Sequence, residues 1–286
     1  PAQLQKSYRQ QKDTLWAKVH QAKKSWAKAG EHLGGLSALK RLWPTVFADQ
    51  VSQATGKACG RFVVSTHTMA LASHLEQWLA TGAPAQQDFS QACKDLDPES
   101  VALPRRLMRH DSNHVADAKV LPGLLESARD SDDETAYAKT QDVVRNTLGV
   151  DTLETYYSLI MMDGDRMGAI LSGDTATNTA IPYRDSFHPN VQKGFDAQAT
   201  QHKALKAYGD QPRAISPNRH LAISSALNDF SQIVVRHVVE QEHLGRVIYA
   251  GGDDVLAMLP TADLLSTMQR LRHAYSGSAP KDDQTD

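Results

Sequence analysis

Apolar residues recur along this chain with two different spacings, and the change falls near residue 150. Leu15, Val19, Ala22, Trp26, Ala29 and Leu33 step by four and three, which draws one apolar stripe and predicts a single long helix over residues 3–32, stopped by Gly34-Gly35. A second short helix is expected over Leu36–Leu42, ended by Pro44, and a short strand over Arg61–Ser65. Thr66–Thr81 reads as a helix with Leu71, Leu75, Trp78 and Leu79 inward and Gly82 as its stop. Residues 83–135 are interrupted by Pro84, Pro98, Pro104 and Pro122 and are expected as loops and short helices, with Asp130–Glu134 an exposed acidic link. Glu134–Leu148 is a further helix.

After Gly149 the pattern becomes strand-like. Tyr156–Met162 is a bulky apolar run of strand length that ends at Asp163-Gly164-Asp165. One or two helical turns over Arg166–Leu171 and a polar, broken stretch over 173–215 follow, with a helix near Ala197–Tyr208. Ser216 and Pro217 open a helix as N-cap and first helical residue. Ile223, Leu227, Phe230 and Val234 continue it, and Gly245 closes it. Val247–Ala250 and Val255–Leu259 flank Gly251-Gly252-Asp253-Asp254 as a hairpin. Pro260 ends the second strand, and Asp263–Tyr275 is the last helix. From residue 156 the order is β-α-β-β-α, a ferredoxin-like unit without its final strand within this sequence. The fold class expected is therefore α+β: a mainly helical region over 1–150 and a palm domain over 151–286, incomplete at its C-terminal end. No internal repeat interrupts this division.

Composition changes this picture little. The chain has 286 residues, 41% hydrophobic and 22% charged, as in ordinary globular proteins. No segment approaches the roughly 18 apolar residues of a membrane helix, and two cysteines, Cys59 and Cys93, form no disulfide or CxxC framework, so a cytoplasmic setting is expected. The first residue is Pro rather than Met, as expected of a fragment or a processed chain. A net charge of -2 gives no general sign of nucleic-acid binding, although residues 1–45 hold nine Lys/Arg against Asp13 and Glu31. That basic run is read first as a solvated helix face and second as a surface for RNA or an acidic partner.

The candidate chemistry lies at the strand ends. Asp163 follows the first strand, and Asp253 and Asp254 sit in the hairpin. In a ferredoxin-like sheet these elements are neighbours, so the three carboxylates are expected to converge. Clustered carboxylates repel one another, and a hard divalent cation, Mg²⁺ or Mn²⁺, is the usual remedy. Such ions bridge nucleotide phosphates. Gly164, Gly251 and Gly252 are expected to let bare backbone approach a phosphate. An ordinary acidic turn is the plain alternative for either motif alone; the two together in one β-α-β-β unit favour function.

The segments YYSLIMMDGDRMGAILSGD (156–174), ISPNRHLAISSALNDFSQIVV (215–235) and LGRVIYAGGDDVLAMLP (244–260) resemble the large subunit of type III CRISPR effector complexes, Cmr type. The resemblance implies a GGDD palm related to GGDEF cyclases and polymerases, making cyclic oligoadenylate from ATP when guide RNA has captured a target transcript. It implies Asp163 as a first-strand metal ligand, and Asp253 and Asp254 as metal-binding, catalytic carboxylates. Partners implied are ATP, crRNA and target RNA through the assembled complex, and the other effector subunits, with no membrane. EHLGGLSALKRLWP (31–44) resembles the family's zinc-binding stretch, but Gly34 or Gly35 and Ser37 stand where cysteines belong, so no zinc is expected there. No upstream HD nuclease domain has a counterpart; His110-Asp111 reads as a surface or core pair. A scaffold subunit binding partner subunits and crRNA is the second reading. A diguanylate cyclase is the third, disfavoured by Val255 and by the long 173–215 insertion. His188 reads as a solvated loop residue, and Trp16, Trp26, Trp43 and Trp78 as core.

Overall fold

A computed structural model describes residues 14–23, 26–28, 30–59, 62–82, 87–130, 133–173, 180–213 and 215–277. The chain divides into two compact units, residues 1–157 with 260–262, and residues 158–259 with 263–286.

The first unit is helical. Its elements are α1 (Leu15–Ala22), α2 (Gly35–Thr55), α3 (Thr66–Thr81), α4 (Gln87–Leu96), α5 (Arg105–Met108), α6 (Val115–Asp130) and α7 (Glu134–Leu148). Helix α3 follows the sequence expectation. Ser65 caps it by accepting from the Thr68 N–H, Gly82 ends it in the left-handed region, and Leu71, Leu75, Trp78 and Leu79 are buried. They meet Leu107 from α5, Leu121, Leu124 and Leu125 from α6, and Val144 and Leu148 from α7. Each such side chain contributes about 1.5–3 kcal/mol by leaving water.

Three expectations need correction first. The first helix covers only Leu15–Ala22, because Lys23 turns extended and the chain folds back so that the His20 ring bonds the Ala27 carbonyl at 2.8 Å. Residues 3–13 of the expected helix lie outside the described residues. Helix α2 runs through Pro44 to Thr55, since a proline removes one backbone hydrogen bond but keeps a helical φ. Phe62–Ser65 forms no strand; it leads into the cap of α3, and Arg61 lies outside the described residues.

Helix α6 likewise spans Pro122. The Lys119 carbonyl one turn earlier accepts from the Val101 N–H at 2.9 Å, and Gly123 lets the Glu99 carbonyl lie 2.2 Å from where a Cβ would stand. Segment 98–101 thus packs closely against the helix beside Pro122 and Gly123. The link over 130–134 includes residues 131 and 132, which lie outside the described set. Burial also corrects one tryptophan: Trp78 is core and Trp16 and Trp26 are half-buried, but Trp43 is 52% exposed, in a row with Leu36, Leu39, Val46 and Phe47 on α2.

The second unit holds a three-stranded sheet. β1 (Tyr157–Met162) is followed by α8 (Met167–Ser172), α9 (Pro189–Ala199), α10 (Lys203–Gly209) and α11 (Pro217–Asp229). The polar stretch after 173 therefore contains two short helices rather than one, and its residues 174–179 lie outside the described set. Helix α11 continues without interruption as a wide π turn (Phe230–Val234), a single α turn and a second π turn (Val238–Glu242). Then come β2 (Arg246–Gly251), β3 (Asp254–Pro260) and α12 (Leu264–Ser276).

The sheet order is β1-β3-β2, and β2 pairs antiparallel with β3 from Arg246↔Met258 to Gly251↔Asp254. Ile160, Val255, Ala257 and Leu259 cover one face with Phe230, Val235, Val238, Val239 and Leu271 from the helices. Alternate residues of β3, Val255, Ala257 and Leu259, meet the helices there. The buried Glu240 carboxylate accepts from Arg246 at 2.6 Å and from the Val247 N–H at 3.2 Å, which ties the second π turn to the start of β2. The architecture is thus α+β, a helical region followed by a ferredoxin-like palm. No described helix is long and apolar enough to cross a membrane.

Candidate active site at the ends of β1 and β3

The β2–β3 connection is a two-residue turn, Gly252-Asp253, closed by the Gly251↔Asp254 pair. Gly252 has φ +63°, which a residue with a Cβ adopts at a cost. The turn places Asp253 at its tip, half-buried, and Asp254 on the first residue of β3, exposed. Because β1 is the strand next to β3, Asp163 directly after β1 arrives at the same place.

The contacts show how close. Asp254 shares a hydrogen bond with Asp163, and its carboxyl is held above the usual carboxylate range. Desolvation is the first cause, the Asp163 charge the second, and the Asp253 charge the third. A Cβ on Gly164 would lie 2.7 Å from Asp253 Oδ2 and 2.8 Å from Asp253 Cβ, so Asp253 packs against bare backbone. All three carboxylates singled out from the sequence therefore lie together. Asp165 is exposed in the next turn, where Arg166 takes φ +58° ahead of α8.

The three glycines differ. The free side of Gly164 is filled by Asp253 and by the Tyr275 hydroxyl, 2.5 Å from the position of a Cβ. That of Gly251 is filled by the Tyr249 hydroxyl, 2.6 Å from such a position. Gly252 opens onto free space.

Tyr275 escaped the sequence reading. It comes from the end of α12, its ring meets Phe230 edge-on at 5.1 Å and 70°, and its hydroxyl donates to Met167 Sδ at 3.5 Å. Burial pushes its phenol above the ordinary range, and the charges of Asp253 and Asp163 add to this. Only the helical period of α12, which brings Leu271 and Tyr275 to one face, hinted at an inward residue.

Oxygen-only donors in mutual repulsion suit a hard cation. Among the described residues, no three His, Cys, Asp or Glu side chains stand ready as a metal-holding group. Asp163 and Asp254 are exposed, however, and so accessible to an ion from solvent. Elsewhere, His188 accepts from the Asn190 N–H and caps α9, and Arg184 pairs with Asp196 through two hydrogen bonds of 2.6 and 2.7 Å. His110 is half-buried beside an exposed Asp111. Cys59 is exposed, and burial followed by the Asp117 charge pushes the Cys93 thiol up.

Residues 156–286 match the family described as Cas10/Cmr2, second palm domain. Over these residues the chain is similar to that family. Two curated relatives agree: the CRISPR system Cmr subunit Cmr2 of Pyrococcus furiosus, 35% identical over 123 residues, and the CRISPR system CMR subunit Cmr2 of Saccharolobus solfataricus, 44% identical over 63 residues. The matches take up 43% and 22% of this chain but only 12% and 6% of those proteins. A chain of the type III-B Cmr-beta structure, determined by cryo-EM in its apo state, superposes with TM-score 0.57 at 17% identity, over 93% of this chain and 33% of its own length. The Cmr-type large subunit resembled in sequence is thus supported by family, relatives and fold, and this chain spans about a third of that structural neighbour.

Proposed function

We propose that this Cas10/Cmr2 palm is a nucleotidyltransferase site that joins ATP into cyclic oligoadenylate within an RNA-guided antiviral effector complex in the cytoplasm. The observation that carries the reading is the meeting of Asp163 with Asp254, with Asp253 beside them on a two-residue turn. Three acids gathered at strand ends repel one another, a cost that a stable fold does not require.

Asp163, Asp253 and Asp254 would hold Mg²⁺ or Mn²⁺. When bound, such ions neutralise the triphosphate and lower the pKa of an attacking ribose hydroxyl. The chain's own residues set the geometry. Gly252 keeps the turn tight and leaves open space beside backbone, where a phosphate has room to approach. Gly164 and Gly251 let side chains pack against the backbone, which holds the turn and the end of β1 in fixed relation. The β1–β3 pairing brings Asp163 and Asp254 together, so the groups that would hold the ion are gathered before substrate arrives. Guide RNA, target RNA and the other effector subunits are the partners proposed for the assembled complex.

A scaffold role is the second reading, favoured by the exposed row Leu36, Leu39, Trp43, Val46 and Phe47 on α2, a surface suited to a partner subunit. Conversion of labelled ATP by the assembled complex with Mn²⁺ separates the two. Oligoadenylate formation that disappears in D253A/D254A supports the enzyme. Target-RNA capture without any ATP conversion would leave the scaffold.

A further inference from the structure

Tyr275 packs against the apolar core of the second unit and also reaches the acidic site. Its ring is fixed by the edge contact with Phe230, at 5.1 Å and 70°, and it reaches the site from the last turn of α12. Its oxygen lies over the backbone of Gly164, in space that any side chain there would occupy, and Asp253 fills the rest of that space. The acceptor it uses is Met167 Sδ at 3.5 Å, a thioether and a weak partner for a half-buried phenol. Stronger acceptors, the carboxylates of Asp163 and Asp253, lie next to it. A donor held rigidly and spent on a weak acceptor beside carboxylates is able to turn to one of them at little cost.

We propose that Tyr275 is a positioning residue for the palm site: its hydroxyl, seated on Gly164, turns from Met167 Sδ to the Asp253 carboxylate and holds it in the orientation that metal and nucleotide require. This rests on the reading of Asp163, Asp253 and Asp254 as cation ligands and adds a group from a separate helix to it. Gly164 is then the space that Tyr275 and Asp253 share, and α12 is coupled to the β2–β3 turn. The side chain touches no reacting atom; it acts through Asp253. Groups that orient metal-binding carboxylates from outside commonly affect metal affinity or activity by about 10–100-fold.

The test uses the whole chain and three variants, Y275F, G164A and the double variant. Mn²⁺ affinity is read by electron paramagnetic resonance, ATP conversion is read in the assembled complex, and each protein is melted. Y275F keeps the ring and its contact with Phe230, so its melting temperature should stay near wild type while Mn²⁺ affinity and kcat fall roughly tenfold and KM for ATP changes less. G164A should lose both binding and turnover. Its loss should be smaller when the hydroxyl is also removed, because the 2.5 Å conflict is then gone while those with Asp253 remain. Y275F equal to wild type in Mn²⁺ affinity and kcat would overturn the role of Tyr275 and leave the palm reading intact. A wild-type chain that neither binds Mn²⁺ nor converts ATP would overturn the palm reading, and this proposal with it.

Discussion

Gly164 and Tyr275 meet at the end of β1, where a Cβ on the glycine would stand 2.5 Å from the tyrosine oxygen. One residue follows a strand and the other ends the last described helix, yet each sets the space available to the other. Asp253 lies against both. The palm site is therefore bounded by packing on one side and open at Gly252 on the other.

Replacing Gly164 with Ala should destabilise the fold as well as impair the site. The added methyl meets the Tyr275 oxygen, Asp253 Oδ2 and Asp253 Cβ, all under 3.0 Å. Overpacking of this kind costs about 1–3 kcal/mol. Urea titration followed by circular dichroism measures it; a midpoint equal to wild type would mean that the turn yields freely.

Alanine at both Asp253 and Asp254 should abolish nucleotide conversion and leave fold and RNA binding near wild type. The two residues lie on a turn and contribute little core. Their removal also relieves repulsion with Asp163, so the metal-free melting temperature should hold or rise slightly. Labelled-ATP conversion, a thermal melt and filter binding with guide and target RNA check the three parts. Collapse of the melt would mark the turn as structural.

The Asp254 carboxyl titrates above its ordinary range, so the folded state favours its protonated form. Its ionised form weakens the fold. The penalty is absent below the unfolded value of about 4 and grows as pH rises through the folded value. Without metal, D254N should therefore melt above wild type at pH 7, and the gap should close in acid. An equal gap at both pH values would exclude a charge origin.

Saturating Mn²⁺ should raise the melting temperature of wild type and leave D253A/D254A unmoved. A ligand at about 100 times its Kd adds about 2.7 kcal/mol. Chelation should reverse the shift. A comparable shift in the double variant would locate the cation elsewhere.

Arg246→Met should be costly, because it leaves the fully buried Glu240 carboxylate without its 2.6 Å partner. Breaking one side of a buried pair costs about 3–5 kcal/mol. Since the pair secures the start of β2, hydrogen exchange should rise first in the β2–β3 hairpin. Exchange that rises uniformly would argue against a local role.

Short-range signals account for part of this fold. Helix α3, helix α7, the Ser216-Pro217 start and the Gly-Gly-Asp-Asp hairpin were legible because their signals lie within a few residues: caps, a 3.6-residue stripe, and glycines at a turn. The palm order and the three acids followed from the sequence of those elements and from the resemblance it carried. Tertiary structure decided what depends on residues far apart in the chain. The chain folds back after Lys23 and breaks a stripe that reads as continuous. Segment 98–101 lies on α6, which runs through Pro122, and Trp43 is left in solvent although its spacing suits a core. The setting of the acids is also of this kind. Asp163 couples to Asp254 because β1 lies beside β3, and Tyr275 reaches Gly164 because α12 packs on Phe230. No local pattern encodes such a contact, since its energy exists only once strand pairing and helix packing have brought the two residues together.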